Sequence, residues 1–371
     1  MSELETIALL AADVLRGGGR AVLALLAHVE GSHYRRPGAR MLLAEDGRTA
    51  GAISGGCLEA DLLERLPAVL ARGETTAVDY DMRGPADLVW GLGLGCDGAV
   101  RILLQPLDDG RAARLQRLAA ASSARRTAGC ATIFRAGPGA PLGAWLVLDR
   151  GEPHGDASGA ARAALEAALA RALTAREPKP RRVVLDGGAE ALVEVLEPAP
   201  LLLVFGTGPD VPPLVRLARA AGFGVRVLSH APRSASASRV SELLGGRVLD
   251  IREIPTGATR TAAVLMTHAF SRDADVLRTL LAEPPQYIGI LGPRPRAERL
   301  LTEAAAGRRI EPGIAARIHA PIGLDIGAET PEEIALAILA EAAAALAERD
   351  GGKLRRRPGR LHEANVELAV S

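Results

Sequence analysis

The sequence predicts an α/β protein: an N-terminal mixed α+β domain followed by a doubly wound parallel-sheet domain. Three observations carry that reading. From Leu201 onward, continuous apolar runs alternate with amphipathic helical stretches, the pattern of strands covered on both faces. Before Pro198, strand-like runs are set off by glycine and proline turns. Between the two patterns stand Pro198 and Pro200, which remove backbone donors and stiffen the chain as inter-domain linkers do. At 371 residues the chain is also too long for one ordinary core. The expected parts are residues 1–197, residues 198–350 and a basic tail, 351–371.

In the first part, Glu3 to Leu15 has the spacing of an amphipathic helix, ended by Gly17-Gly18-Gly19. Ala21–Val29 reads as a buried strand, followed by short strands at Arg40–Ala44 and Gly51–Ile53. At Leu58 the period turns helical, with Leu62, Leu63, Leu66, Val69 and Leu70. Thr76–Tyr80 is a β-rich run. Trp90 to Gly98 is a glycine-alternating loop that leads into a strand at Val100–Leu104. A helix over Arg111–Ala121, strands at Ala131–Phe134 and Ala144–Leu148, and an alanine-rich helix over Ser158–Ala175 come next. Arg181–Leu185 and Ala191–Leu196 close this part as a hairpin.

In the second part, Leu201–Phe205 runs into Gly206-Thr207-Gly208 and then a helix through Ala221. Strands follow at Gly224–Leu228, Ala262–Met266 and Gln286–Leu291, with helices over Ser271–Leu281 and Arg294–Ala305. A glycine turn after the first strand, then strand–helix alternation, is the Rossmann-like layout. Thr330-Pro331-Glu332-Glu333 opens the last long helix with a capping box and a proline at its first position. The tail carries five basic residues between Lys353 and Arg360, a run expected to be solvated and flexible.

Composition narrows the function. A formal net charge of +1 leaves no electrostatic footprint for nucleic acid. Three cysteines, Cys57, Cys96 and Cys130, are too few for a disulfide framework, and the N-terminus has no basic n-region. Together these point to a reducing cytoplasm. No apolar stretch is long and uninterrupted enough to span a bilayer.

The most chemically specific stretch is Gly31 to Glu59, GSHYRRPGARMLLAEDGRTAGAISGGCLE. Gly55-Gly56 delivers Cys57 onto the first turn of a helix. Glycines let backbone N–H groups approach a ligand, and a helix start supplies unpaired donors and partial positive charge. The same field favours a thiolate. Arg35, Arg36 and Arg40 stand upstream as fixed cations. The stretch reads as a site for an anionic, sulfur-seeking ligand; the plainer alternative is a turn with a core cysteine.

GSHYRRPGARMLL, GAISGGCLEADL and WGLGLGCDG resemble the N-terminal signatures of the XdhC/CoxF family. The resemblance continues in YIGILGPR, from Tyr287, and in HAPIGLDIGAETPEEIA, from His319, so it covers nearly the whole chain. Members of that family are accessory proteins for xanthine dehydrogenase and related molybdenum hydroxylases, not subunits of the finished enzyme. The resemblance implies a maturation chaperone without turnover chemistry. It would bind molybdenum cofactor (molybdopterin), protect it during sulfuration and deliver it to the apo hydroxylase. A cysteine desulfurase would supply the sulfur. The candidate contacts are Gly31, Ser32, Arg35, Gly38, Gly55, Gly56, Cys57, Glu59, Gly95 and Cys96 in the first part, and, at the carboxyl ends of the strands, Gly206, Gly208, His268, Gly292 and Arg294 in the second. Cys57 or Cys96 would face the metal or the transferred sulfur; a CxxC zinc pattern is absent. Cys130 reads as core.

Two departures bear on nucleotide binding. Where the family turn usually reads GAGHVG or GAGHVA, this chain has Gly206-Thr207-Gly208-Pro209-Asp210-Val211, and Asp210 would repel a phosphate. Where the second strand usually ends in aspartate, it has Ser229-His230. NAD(P) binding is therefore doubtful, although an NAD(P)-dependent oxidoreductase and a cofactor-free adaptor are the alternative readings. Arg294, Arg296 and Arg299 could form an oxyanion clamp or simply face water. Open α/β sheets bind ligands beyond the carboxyl ends of their strands. The cofactor is accordingly expected in a cleft between the N-terminal glycine loops and the α/β domain, open to completion by a second copy in a homo-oligomer.

Overall fold

The structure, a computed structural model, describes residues 2–31, 33–56, 58–82, 98–175, 179–255 and 259–357, and the backbone of Glu367–Ala369. Contacts divide the chain into two compact units, Ser2–Pro198 joined by Pro358–Ser371, and Ala199–Arg357.

The first unit holds two sheets. Helix α1 (Glu3–Arg16) starts in a capping box between Ser2 and Glu5, and its buried face is Ile7, Ala8, Ala11 and Val14. One sheet is antiparallel, in the order β3 (Thr49–Gly51), β2 (Arg40–Ala44), β1 (Ala21–Gly31), β5 (Gly98–Pro106), β4 (Thr76–Asp81). β1 is an almost unbroken apolar run because both of its faces are covered. Val22, Ala24 and Leu26 meet Leu62, Leu66 and Val69 of α2 (Glu59–Arg72), whereas Leu23 turns toward α1. The expected strand over Gly51–Ile53 ends at Gly51. There the N–H groups of Ile53 and Ser54 leave the ladder and donate to the Glu59 carboxylate.

The other sheet has the order β17 (Glu367–Ala369), β9 (Arg181–Val184), β10 (Glu190–Leu196), β6 (Ala128–Arg135), β7 (Trp145–Asp149), β8 (Glu152–Gly155). β17 pairs parallel to β9; the other pairings are antiparallel. Helix α4 (Gly159–Thr174) packs Leu165 and Leu169 on one face, against Ile133 and Val193. On the opposite face, Phe134 and Leu192 meet Leu25 and Leu103 of the first sheet. Helix α3 (Asp109–Ser123) packs Leu118 and Ala121 against Cys130, Trp145 and Val147.

The second unit is an all-parallel sheet in the order β13 (Leu249–Asp250), β12 (Gly224–Ser229), β11 (Leu201–Phe205), β14 (Thr261–Leu265), β15 (Tyr287–Ile290), β16 (Ile318–His319). One face is covered by α5 (Val211–Ala220), α6 (Ala235–Leu244) and α10 (Pro331–Leu346), the other by α7 (Phe270–Ala282) and α8 (Arg294–Ala305), and the short α9 (Pro312–Ala315) leads into β16. Order reverses between β11 and β14, so the ligand-binding crevice of this Rossmann-like domain is expected where those strands end. The capping box of α10 forms as read, with the Thr330 hydroxyl on the Glu333 N–H and the Glu333 carboxylate on the Thr330 N–H. Among the described residues, no helix is long and apolar enough to cross a membrane.

Candidate functional site

The carboxyl-terminal rim of the parallel sheet gathers four of the residues singled out in the sequence, Gly206, Gly208, His268 and Gly292, with Arg294 following. Gly206 leaves β11 at φ 136°, and a Cβ there would lie 2.5 Å from the Met266 carbonyl oxygen. Only glycine lets the two strand ends approach so closely. Gly208 faces the imidazole of His268, whose Nε2 lies 3.4 Å from Asp210 Oδ2. The carboxylate expected to repel phosphate thus has an imidazole across the turn. His268 itself sits at φ 59°, uncommon for a non-glycine residue.

That backbone position rests on a network the sequence did not reveal. The Thr267 hydroxyl donates to Asp273 Oδ1 at 2.7 Å, and Arg296 donates to Asp273 Oδ2 at 2.6 Å. Asp273 is fully buried on α7. Arg296 also donates to the Leu291 carbonyl, and Arg299 lies over the Phe270 ring. Two of the three arginines are therefore used internally. Arg294, at the first position of α8, is exposed and forms no ion pair among the described residues. It follows Gly292 shortly after β15, on the same rim.

At the end of β12, Ser229 is buried and its hydroxyl accepts the Ala231 N–H. Its register partner in β13 is Asp250. That carboxyl is held far below its ordinary range by hydrogen bonds from the Arg252 side chain and backbone, and it caps the following turn. It therefore stands as a structural acid. Thr207 Oγ1 lies 2.9 Å from Ser236 Oγ, which lies 3.1 Å from the Ser234 hydroxyl that caps α6. These hydroxyls were not singled out from the sequence; they tie the Gly206–Gly208 turn to the next helix.

In the N-terminal unit the Gly55–Gly56 turn is organised from within. Glu59 Oε1 accepts the N–H groups of Ile53 and Ser54, at 3.1 and 2.7 Å, and Oε2 accepts from the Ser54 hydroxyl and the Leu58 N–H. Burial works against ionising Glu59, but these donors outweigh it and hold the carboxyl below its ordinary value. Glu59, expected to contact the cofactor, is thus committed to its own loop and takes donors that an external anion would use. Arg35 is paired with Glu3 at 2.8 Å.

Arg40, expected as a fixed cation upstream of this turn, is buried and paired instead. Its Nη2 lies 2.6 Å from Glu194 Oε2, and its Nη1 donates to the Gly38 carbonyl. Gly38 belongs to the same arrangement: at φ 94°, a Cβ there would lie 2.2 Å from Glu194 Oε1. Gly31 ends β1 opposite Gly98, and Gly55 lies beside the exposed ring of Tyr34. Ser32, Cys57, Gly95 and Cys96 lie outside the described residues, and with them both sulfur candidates for the metal. Cys130 is fully buried in β6, and burial pushes its thiol pKa up.

The HAPIGLDIG segment is structural where it is described. Tyr287 donates to Glu341 Oε2 at 2.6 Å, the Gly323 N–H to the same oxygen at 2.8 Å, and His319 Nδ1 lies 3.2 Å from Oε1. Asp325 is exposed and makes no side-chain hydrogen bond among the described residues.

Comparison with known proteins bears on both units. Residues 14–81 match the family model described as XdhC and CoxI family, and residues 202–342 match the XdhC Rossmann domain. A Bacillus subtilis protein, named a probable xanthine dehydrogenase subunit, is 30% identical over 86% of this chain and 92% of its own length. The chain belongs to the XdhC family. Another relative, the Escherichia coli molybdenum cofactor insertion chaperone PaoD, is 26% identical over 91% of this chain and 87% of its own. A crystal structure from Bacillus halodurans, described as a xanthine dehydrogenase, superposes with a TM-score of 0.73 at 28% identity, covering 96% of this chain and 98% of that one. The XdhC Rossmann match contains the whole rim from Gly206 to Arg294 and the Tyr287–Glu341 contact. The XdhC and CoxI match contains the Glu59-capped loop.

Proposed function

We propose that this XdhC-family protein binds molybdenum cofactor as cargo, shields it while its sulfido ligand is installed, and passes it to an apo molybdenum hydroxylase of the xanthine dehydrogenase type. The observation that carries this reading is the rim of the parallel sheet. An exposed arginine stands beside Gly292, while the turn that would take a dinucleotide's pyrophosphate presents Asp210. A compact, anionic ligand end suits Arg294, with His268 and Thr207 on the same sheet edge, better than a pyrophosphate suits the turn. The full-length likeness to a relative named as an insertion chaperone supports the same reading.

In this account Arg294 holds phosphate oxygens and His268 lines the crevice. Cys57 and Cys96 are the candidate soft ligands toward the molybdenum or the sulfur in transfer. The cofactor supplies the metal and its dithiolene; the chain binds, orients and excludes water. A cysteine desulfurase is the proposed sulfur source and the cytoplasm the proposed compartment. The name of the Bacillus subtilis relative favours a second reading, a component that stays with the enzyme. Mixing the cofactor-loaded protein with apo hydroxylase separates the two. A chaperone activates the enzyme and is recovered free of it, whereas a permanent component co-purifies in fixed ratio. No activation and no complex would defeat both readings.

A further inference from the structure

Away from these sites, the described residues in the layer between the two sheets of the N-terminal unit carry more buried positive than negative charge. Arg40 and Glu194 form one ion pair, each side chain 5% exposed. Arg114, on α3, is fully buried as well, and no carboxylate among the described residues pairs with it. Its Nη1 lies 3.5 Å from Thr132 Oγ1 and its guanidinium lies over the Trp145 ring, 5.2 Å from the centroid. Its Nε and Nη2 find no hydrogen-bond partner among the described residues. Gln105 on β5 is also fully buried, and neither its amide nitrogen nor its oxygen is partnered there. The strand registers put Gln105 opposite Leu23, on the β1 face that meets Leu115 of α3.

The charged and titratable groups facing this layer are Arg40, Arg111, Arg114, Glu194 and the Cys130 thiol. Arg111 pairs outward with Asp108. Burial keeps the Cys130 thiol protonated, so it contributes no balancing charge. Among the described residues one guanidinium is left over, together with donor groups that natural interiors almost always satisfy.

We propose that Arg114 binds one small monovalent anion of the halide class in this layer, with the Gln105 amide as a second donor. Such an ion would neutralise the odd guanidinium and bridge α3 to both sheets. The experiment is a bromide soak of crystals of the full chain, read by anomalous scattering. The expected result is a peak within hydrogen-bonding distance of Arg114. Peaks only at the surface, an adventitious ion only, or an ordered water without anomalous signal at Arg114 would overturn the proposal.

In solution, exchanging gluconate for chloride at constant ionic strength should raise the wild-type melting temperature saturably by about 2–4 °C. Arg114→Met should abolish that response, and Gln105→Met, should the first variant not fold, should weaken it several-fold. A wild-type melting temperature indifferent to halide would contradict the site.

Discussion

Arg40 Nη2 and Glu194 Oε2 meet at 2.6 Å between two sheets, joining residues 154 positions apart in sequence. Both side chains are buried, so removing one partner leaves the other charge stranded. Glu194→Gln should cost about 3–5 kcal/mol in chemical unfolding. The paired change Arg40→Met with Glu194→Leu should cost clearly less than the single one. Equal losses would mean the pair is not the source of the effect.

Gly38→Ala should destabilise the same layer by at least about 1–3 kcal/mol, through its positive φ and the clash with Glu194. Combined with Glu194→Ala, which clears the space, the penalty at Gly38 should shrink toward the backbone part alone. A double-mutant cycle by thermal or urea unfolding reads the difference.

Glu341 gives a pH prediction. Burial disfavours its charge, but His319, Tyr287 and the Gly323 N–H outweigh that and hold its carboxyl below its ordinary 4.5. A depressed carboxyl stabilises the fold above the unfolded value and loses that contribution as pH falls through the folded one. Glu341→Gln should therefore lower stability by about 1–3 kcal/mol at neutral pH. It should also flatten the loss of stability below pH 4.5. An unchanged acid arm would exclude Glu341 as its source.

For the thiols, iodoacetamide should modify Cys57 well before Cys130, which is fully buried with its pKa pushed up. Mass spectrometry of peptides from briefly treated native protein checks this. Equal labelling would remove the case for an activated thiol on the Gly-Gly-Cys turn.

Much of the fold was legible in the sequence. Strands of the parallel sheet are continuous apolar runs because helices cover both faces, and Leu201–Phe205 falls at its expected limits. Helix α6 was not legible: only Ala237 and Val240 of it are buried, too few to mark a period. Strands β13 and β16 are two residues each, too short to show an alternation. The site was less legible, because its logic is partnership at a distance. Nothing local reveals that Arg40 turns inward to Glu194, or that Arg296 is held by Asp273 while Arg294 stays exposed. The Glu59 cap could have been found, since Ser54 and Glu59 are five residues apart and flank a helix start.

At the nucleotide-type turn, Asp210 and the absence of a carboxylate at Ser229 predict that the unaltered protein binds NADH no better than millimolar. Asp210→Gly should strengthen that binding in a calorimetric titration. Micromolar affinity in the wild-type protein would favour the oxidoreductase reading instead.

The most direct test of the cargo account is the pterin and molybdenum content of the full chain purified from cells that make the cofactor, beside Arg294→Ala and Cys57→Ala. The account predicts pterin and molybdenum together in near-stoichiometric amount in the wild type, and a several-fold loss in each variant. Wild-type protein that carries neither, under conditions where the client hydroxylase is matured, would contradict it.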